Sequence, residues 1–125
     1  MGFPSSADDH LEPTLSLDDL IVHPAATYLV KNSGTSMEPT FHRGDILIVD
    51  RALFPLDYRA VVVVYHENFY VRRIITEDTH VTLKADNPAF EDIIVGPDDV
   101  QVWGVVTYAI HKDSAPTRKL PRRVK

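Results

Sequence analysis

The chain has 125 residues, of which 44% are hydrophobic and 25% charged, and its formal net charge is −5 at pH 7. This size and composition are those of one globular domain with a core of its own. No run of about 18 apolar residues is present, which excludes a membrane-spanning helix. The lack of Cys excludes disulfides and thiolate metal sites. We expect a cytoplasmic location for two reasons. The N-terminus lacks the pattern of a signal peptide, and a chain without Cys is compatible with a reducing compartment.

Charge is divided unevenly along the chain. Residues 111–125 hold six Lys and Arg residues against Asp113, a net charge of +5, so the preceding residues carry −10. An acidic body lacks the clustered cations that duplex DNA requires, and we expect no strong direct DNA binding. The basic end can contact nucleic acid or an acidic partner, or it can be a solvated tail. Pro116 and Pro121 argue against regular structure there, and we predict a disordered tail over residues 113–125.

The first predicted unit is a flexible N-terminal arm over residues 1–22. Its first part is rich in Ser, Pro and Asp and shows neither a helical nor a strand period. Ser16 can cap one short helical turn in the arm, which ends before His23-Pro24. The main domain is predicted over residues 23–112.

Seven strands are predicted in that domain, with turn signals between them and almost no helix. The third strand is apolar throughout, which predicts burial on both of its faces. Residues 66–68 predict a short hairpin connection between the third and fourth strands. The long seventh strand is either internal or an edge strand paired across a dimer. The pattern predicts a compact, mainly β domain of mostly antiparallel strands. The predicted strands are residues 27–30, 45–50, 60–65, 69–75, 80–84, 93–95 and 100–110.

A polar loop joins the first two strands, with the sequence Ser33-Gly34-Thr35-Ser36-Met37-Glu38-Pro39-Thr40 and then Gly44-Asp45. Such a loop can present the Ser36 hydroxyl at a turn, where a nearby base would make it a nucleophile. The six His residues show no HxH or HxxxH spacing, and the paired carboxylates lie in polar turns. We therefore expect no metal and no cofactor.

The serine loop and the strand after it closely resemble the serine motif of the LexA/UmuD family (S24), the self-cleaving serine–lysine peptidases of the SOS response to DNA damage. The resemblance implies the fold of the LexA/UmuD C-terminal domain. Further segments agree with the family in order and spacing, so the resemblance covers most of the chain. These segments are residues 2–5, 23–28, 44–50, 69–71, 87–90 and 103–106.

The resemblance implies that Ser36 stands at the position of the nucleophile and that a neutral lysine on the strand after the hairpin takes its proton. Arg72 occupies that lysine position here. A guanidinium has a pKa above 12 and no lone pair to accept a proton, so it cannot act as the base. Lys84, on a neighbouring predicted strand, is the one candidate substitute. We predict that the serine–lysine pair is broken.

The resemblance is strongest to the UmuD branch, whose members are accessory subunits of error-prone translesion DNA polymerases. Members of that branch cut their own arm before a Gly-Phe-Pro segment, and this chain begins Met1-Gly2-Phe3-Pro4. We therefore expect a processed, UmuD′-like form, without the helix-turn-helix domain of LexA-type repressors. Implied partners are a Y-family (UmuC-like) polymerase subunit, a RecA-type filament and a second copy of the chain. Two alternatives stay open: a working peptidase that uses Lys84 or an external base, and a β module with another binding function.

Overall fold

The computed structural model describes residues 11–12 and 15–121. The predicted arm thus lies partly outside the described residues, as does the end of the predicted tail. A 3₁₀ turn, Leu17–Leu20, forms at the predicted helical turn with Ser16 as its N-cap, and a second, Pro24–Ala26, follows. Residues 111–121 form neither helix nor strand. Within the described part of the chain, no helix has the length and apolar character needed to cross a bilayer.

Among residues 11–12 and 15–121, seven strands form one antiparallel sheet, which confirms the predicted mainly β fold. Their order across the sheet is β1-β2-β7-β3-β4-β5-β6. Each bound lies within one residue of its prediction. Strand β7 lies between β2 and β3, so its interpretation as an edge strand paired across a dimer is wrong. The strands are β1 Thr27–Lys31, β2 Ile46–Asp50, β3 Ala60–Tyr65, β4 Asn68–Thr76, β5 Val81–Lys84, β6 Ile93–Val95 and β7 Gln101–Ile110.

The central strand β3 separates two apolar clusters. Because side chains alternate along a strand, Val61 and Val63 pack into one cluster with β4 to β7, and Ala60 and Val62 pack into the other with β2, β7 and Met37. All four β3 residues are 3% exposed or less. This double burial explains the continuous apolar run and confirms its prediction.

The hairpin between β3 and β4 fixes the register of the strand that carries Arg72. His66 and Glu67 form its two-residue turn with φ angles of 49° and 65°. Positive φ at both turn positions is typical of the hairpin turns whose twist matches that of the strands. The resulting pairing sets Arg72 opposite Val61, in the middle of the sheet.

Strand β7 is irregular where it passes the second cluster. Opposite β3 the register goes from Gly104 to Val102, so Trp103 is an extra, bulged residue. A Cβ at Gly104 would lie 2.5 Å from the Cγ1 atom of Val49, so only glycine fits this close approach of strands. The bulge places Trp103 on the wall of the cleft described next.

Candidate active site

The serine loop is fastened at both ends by Asn32, which is 9% exposed. The Asn32 N–H donates to the Asp45 carbonyl at 2.8 Å, and the Gly44 N–H donates to the Asn32 carbonyl at 2.6 Å. The side-chain amide of Asn32 also donates to the His42 carbonyl at 3.0 Å. These bonds close the loop between β1 and β2, with Ser36 at the start of the turn over residues 36–40.

Two neighbours hold the backbone of Ser36 in place. Met37, the next residue, is 1% exposed and packs in the second apolar cluster. From the turn after β5, the Asn87 N–H donates to the Ser36 carbonyl and its Nδ2 donates to the Thr35 carbonyl, both at 2.9 Å. This role of Asn87 was not predicted from the sequence. The family resemblance over residues 87–90 was the signal that could have revealed it.

The structure brings Ser36 and Arg72 into direct contact. Arg72 Nη1 donates to Ser36 Oγ at 2.6 Å and to the Val71 carbonyl at 3.0 Å. Arg72 is only 6% exposed, and this desolvation lowers the pKa of its guanidinium below the ordinary value. The basic side chain that reaches the serine hydroxyl is therefore a buried hydrogen-bond donor.

The neighbouring arginine has a different environment. Arg73 makes a two-point contact with Asp86, with Nε to Oδ1 at 3.1 Å and Nη2 to Oδ2 at 3.0 Å. Thr40 Oγ1 donates to the same carboxylate at 2.6 Å. Burial raises the pKa of Asp86, but the hydrogen bonds from Arg73 and Thr40 outweigh it, so this pKa lies below its ordinary value. Asp86 thus links the serine loop to β4 through a neutralised pair.

Ser36 and Arg72 lie in an open cleft of about 570 Å³, which is within the range of small-ligand sites. The Arg72 guanidinium carbon lies 5.4 Å from the ring centre of Tyr70 and 5.8 Å from that of Phe90. These distances are those of cation–π contacts. The walls of the cleft are mainly aliphatic and aromatic, with contributions from Val30, Val62, Phe69, Tyr70, Val71, Phe90 and Trp103.

Lys84, the candidate substitute base, is not brought to the serine. It lies on β5 opposite Arg73, and its Nζ is 3.8 Å from Asp92 Oδ1. The lining of the cleft around Ser36 does not include Lys84.

A second cluster joins His42, Asp45 and His111, which no spacing in the sequence relates to one another. Asp45 Oδ1 lies 2.6 Å from His111 Nδ1, and Asp45 Oδ2 accepts from the His42 backbone N–H at 2.8 Å. Burial raises the pKa of Asp45, but these contacts outweigh it and the pKa lies below its ordinary value. The ligand atoms of the three residues lie within 4.8 Å of one another, so they could hold a metal ion. Both oxygens of Asp45 already have protein partners, which accounts for the cluster without an ion.

A serine on a fastened turn, in contact with a basic side chain from the strand after a hairpin, defines a β domain of the serine-peptidase kind. The family of Peptidase S24-like proteins matches residues 1–107, and this chain belongs to that family. Among its relatives, Protein MucA of Salmonella typhimurium is 38% identical, and the match covers 87% of this chain and 77% of MucA.

Two further relatives support the same assignment. Protein SamA of Salmonella typhimurium strain LT2 is 37% identical over 89% of this chain and 79% of its own length. Protein ImpA of Salmonella typhimurium is 34% identical over 89% and 77%. The resemblance found in the sequence is thereby confirmed, and the chain is a UmuD-like member of the family.

Proposed function

We propose that this chain is a UmuD′-like accessory subunit of an error-prone translesion DNA polymerase in the SOS response, and that it works without peptidase activity. The first part is supported by the similarity to MucA, SamA and ImpA over most of the chain. The second part is carried by one observation, the hydrogen bond from Arg72 Nη1 to Ser36 Oγ.

The direction of that hydrogen bond is what matters chemically. Activation of a serine requires an acceptor for the hydroxyl proton within hydrogen-bond reach of Oγ. Arg72 contacts Ser36 Oγ at 2.6 Å but offers only N–H donors. A guanidinium so placed would stabilise a serine alkoxide once it had formed, yet it cannot take the proton that must leave first. Loss of a general base typically lowers the reaction rate by a factor of about 10²–10⁴.

The proposed partners are a Y-family, UmuC-like polymerase subunit, a RecA-type filament and a second copy of the chain, and the role is a cytoplasmic one. Twofold dimers are the commonest oligomers. An exposed apolar surface supports a binding role: the segment after β2 exposes Leu53, Phe54 and Leu56, with Phe54 90% exposed. Large apolar side chains grouped on a surface are typical of contact sites.

The proposed partnership is tested by affinity purification of the tagged chain from bacterial cells treated with a DNA-damaging agent. We expect a Y-family polymerase subunit among the proteins identified by mass spectrometry, and less of it with a Phe54→Ser variant. A tagged, unrelated β domain is the negative control, and a known UmuD–UmuC pair is the positive control. Recovery of the control pair without any polymerase on this chain would favour a β module with another binding function.

The absence of peptidase activity is tested with the purified chain and a peptide that contains a Gly-Phe-Pro arm segment. The incubation extends to about pH 10, where even a lysine of ordinary pKa is partly neutral. We expect no cleavage. Cleavage that disappears in Ser36→Ala would contradict the proposal and favour the working-peptidase alternative.

A further inference from the structure

We propose that the cleft binds the C-terminal carboxylate of an extended peptide with apolar last residues, and that Arg72 recognises this carboxylate. The inference rests on the proposed function, because it needs a cleft that holds a peptide without cutting it. It adds a ligand class to a site that otherwise has no role in a non-cleaving subunit.

The charges around the cleft all have the same sign. Three charged side chains line it, Lys31, Arg43 and Arg72, and no Asp or Glu does. The whole chain carries a net charge of −5, so the positive charge of the cleft lining is opposite in sign to the net charge of the protein. Among the described residues, none of the three cations is within ion-pair distance of a carboxylate. A concave site lined by one sign of charge attracts ligands of the other sign.

Of the three cations that line the cleft, Arg72 is the one that an anionic ligand would stabilise most. It is 6% exposed, and its Nε is buried without a hydrogen-bond partner. Its hydrogen bonds to Ser36 and Val71 both come from Nη1, and both acceptors are uncharged. Arg73 has what Arg72 lacks, a carboxylate held at two points. A buried cation without an anion is unfavourable, and a carboxylate is the planar, two-oxygen partner that fits a guanidinium.

The position of Ser36 favours a terminal carboxylate over a side-chain one. In a peptidase the carbonyl of a bound peptide lies about 3–3.5 Å from the nucleophilic oxygen. Arg72 Nη1 lies 2.6 Å from that same oxygen, so it borders the place of the carbonyl. A terminal carboxylate belongs to the backbone and can occupy this place, whereas an Asp or Glu carboxylate lies further from the backbone. The aliphatic and aromatic walls of the cleft suit apolar side chains at the preceding positions.

The single tryptophan of the chain supplies the assay. Trp103 lines the cleft, and its ring lies 4.6 Å from the Arg51 guanidinium carbon. Its fluorescence is followed while the full chain is titrated with acetyl-Ala-Val-Leu-Leu, once with a free carboxylate and once as the amide. A third peptide, acetyl-Ala-Glu-Leu-Leu amide, carries its carboxylate on a side chain. We expect the free carboxylate to bind about tenfold or more tightly than either amide, because charge-assisted hydrogen bonds are the strong ones.

Two charge-matched variants locate the effect. Arg72→Met should abolish the preference for the free carboxylate, whereas Arg118→Met, in the exposed segment after β7, changes the net charge equally and should keep it. The comparison of the three peptides on the unaltered chain stands even where Arg72→Met does not fold. Equal affinity for acid and amide, tighter binding of the internal Glu peptide, or no binding at all would overturn the inference. Each of these results is separate from a failure of the proposed function, which would appear as Ser36-dependent cleavage or as loss of the polymerase.

Discussion

Replacing Arg72 by Lys should return a proton acceptor to Ser36. Arg72 Nη1 already lies 2.6 Å from Ser36 Oγ, and a lysine at the same position reaches almost as far with a flexible stem. The loop itself needs no change, since Asn87 and Met37 hold the backbone of Ser36 independently of residue 72. The variant therefore tests whether the missing base alone accounts for the proposed lack of peptidase activity.

The size of the effect depends on how much of the lysine is neutral. At its ordinary pKa of about 10.4, roughly one lysine in a thousand is neutral at pH 7.4. Position 72 is 6% exposed, and burial of that degree lowers a lysine pKa by up to about 3–5 units. Burial should therefore lower the pKa of a lysine at position 72 and raise its neutral fraction, and a general base contributes about 10²–10⁴-fold to the rate.

The assay follows cleavage of the arm peptide in trans by liquid chromatography and mass spectrometry. We expect Arg72→Lys to cleave it at least about 10²-fold faster than the unaltered chain, which corresponds to about 2.7 kcal/mol of transition-state stabilisation. The rate should rise with pH through the pKa of the new lysine. The double variant Arg72→Lys/Ser36→Ala should be inactive, and so should Arg72→Met, which removes the donor without adding a base.

Two results would refute this reasoning. A folded Arg72→Lys variant that cleaves no faster than the unaltered chain would mean that the cleft lacks more than its base. Equal, Ser36-dependent rates of peptide cleavage by the unaltered chain and by Arg72→Lys would mean that Arg72 does not prevent Ser36 from acting as a nucleophile.

Three further predictions concern stability, measured by urea unfolding. Asn87→Ala should lower the free energy of unfolding by about 1–3 kcal/mol, because the Thr35 carbonyl loses its Nδ2 donor and the Ala89 N–H loses its Oδ1 acceptor, while the backbone bond to Ser36 stays. Gly104→Ala should destabilise by about 1–3 kcal/mol, since its Cβ would lie 2.5 Å from Val49 Cγ1; a Gly34→Ala control, with open space around the new Cβ, should change little. Stability should fall as the pH drops below about 4, because Asp45 and Asp50 have pKa values below their ordinary ones in the folded state. An Asp45→Asn/Asp50→Asn double variant should lose less stability over that pH range, and an equal loss would contradict the assignment.

The strands could be predicted closely from the sequence because each is bounded by strong turn signals. The run from Ala60 to Tyr65 predicted both bounds of β3 without error, and the connection predicted over residues 66–68 is a two-residue turn at His66 and Glu67. The position of β7 between β2 and β3 could not be predicted in the same way. Neighbours in a sheet depend on pairings between distant segments, and local residue patterns do not encode them.

The candidate site shows the same division between local and distant information. Family resemblance identified Ser36 and Arg72 as a pair, and the structure places them in contact. The contacts of Asn87 with the serine loop and of His111 with Asp45 join residues that are far apart in the chain, and neither followed from spacing. The bulge at Trp103 lies next to the close approach of Gly104 to Val49 of β2, which is again a contact across the sheet.

One property of Arg72 underlies both proposals. A buried lysine can relieve its burial by losing its proton, and the same loss makes it a base. An arginine keeps its proton at every accessible pH, even where desolvation lowers its pKa, so it is never a base and always needs an anion. Cleavage and carboxylate binding should therefore respond in opposite directions to one substitution. As the pH rises through the pKa of its new lysine, Arg72→Lys should gain cleavage activity and lose its preference for the free carboxylate. The unaltered chain should keep that preference over the same pH range and should not cleave the peptide.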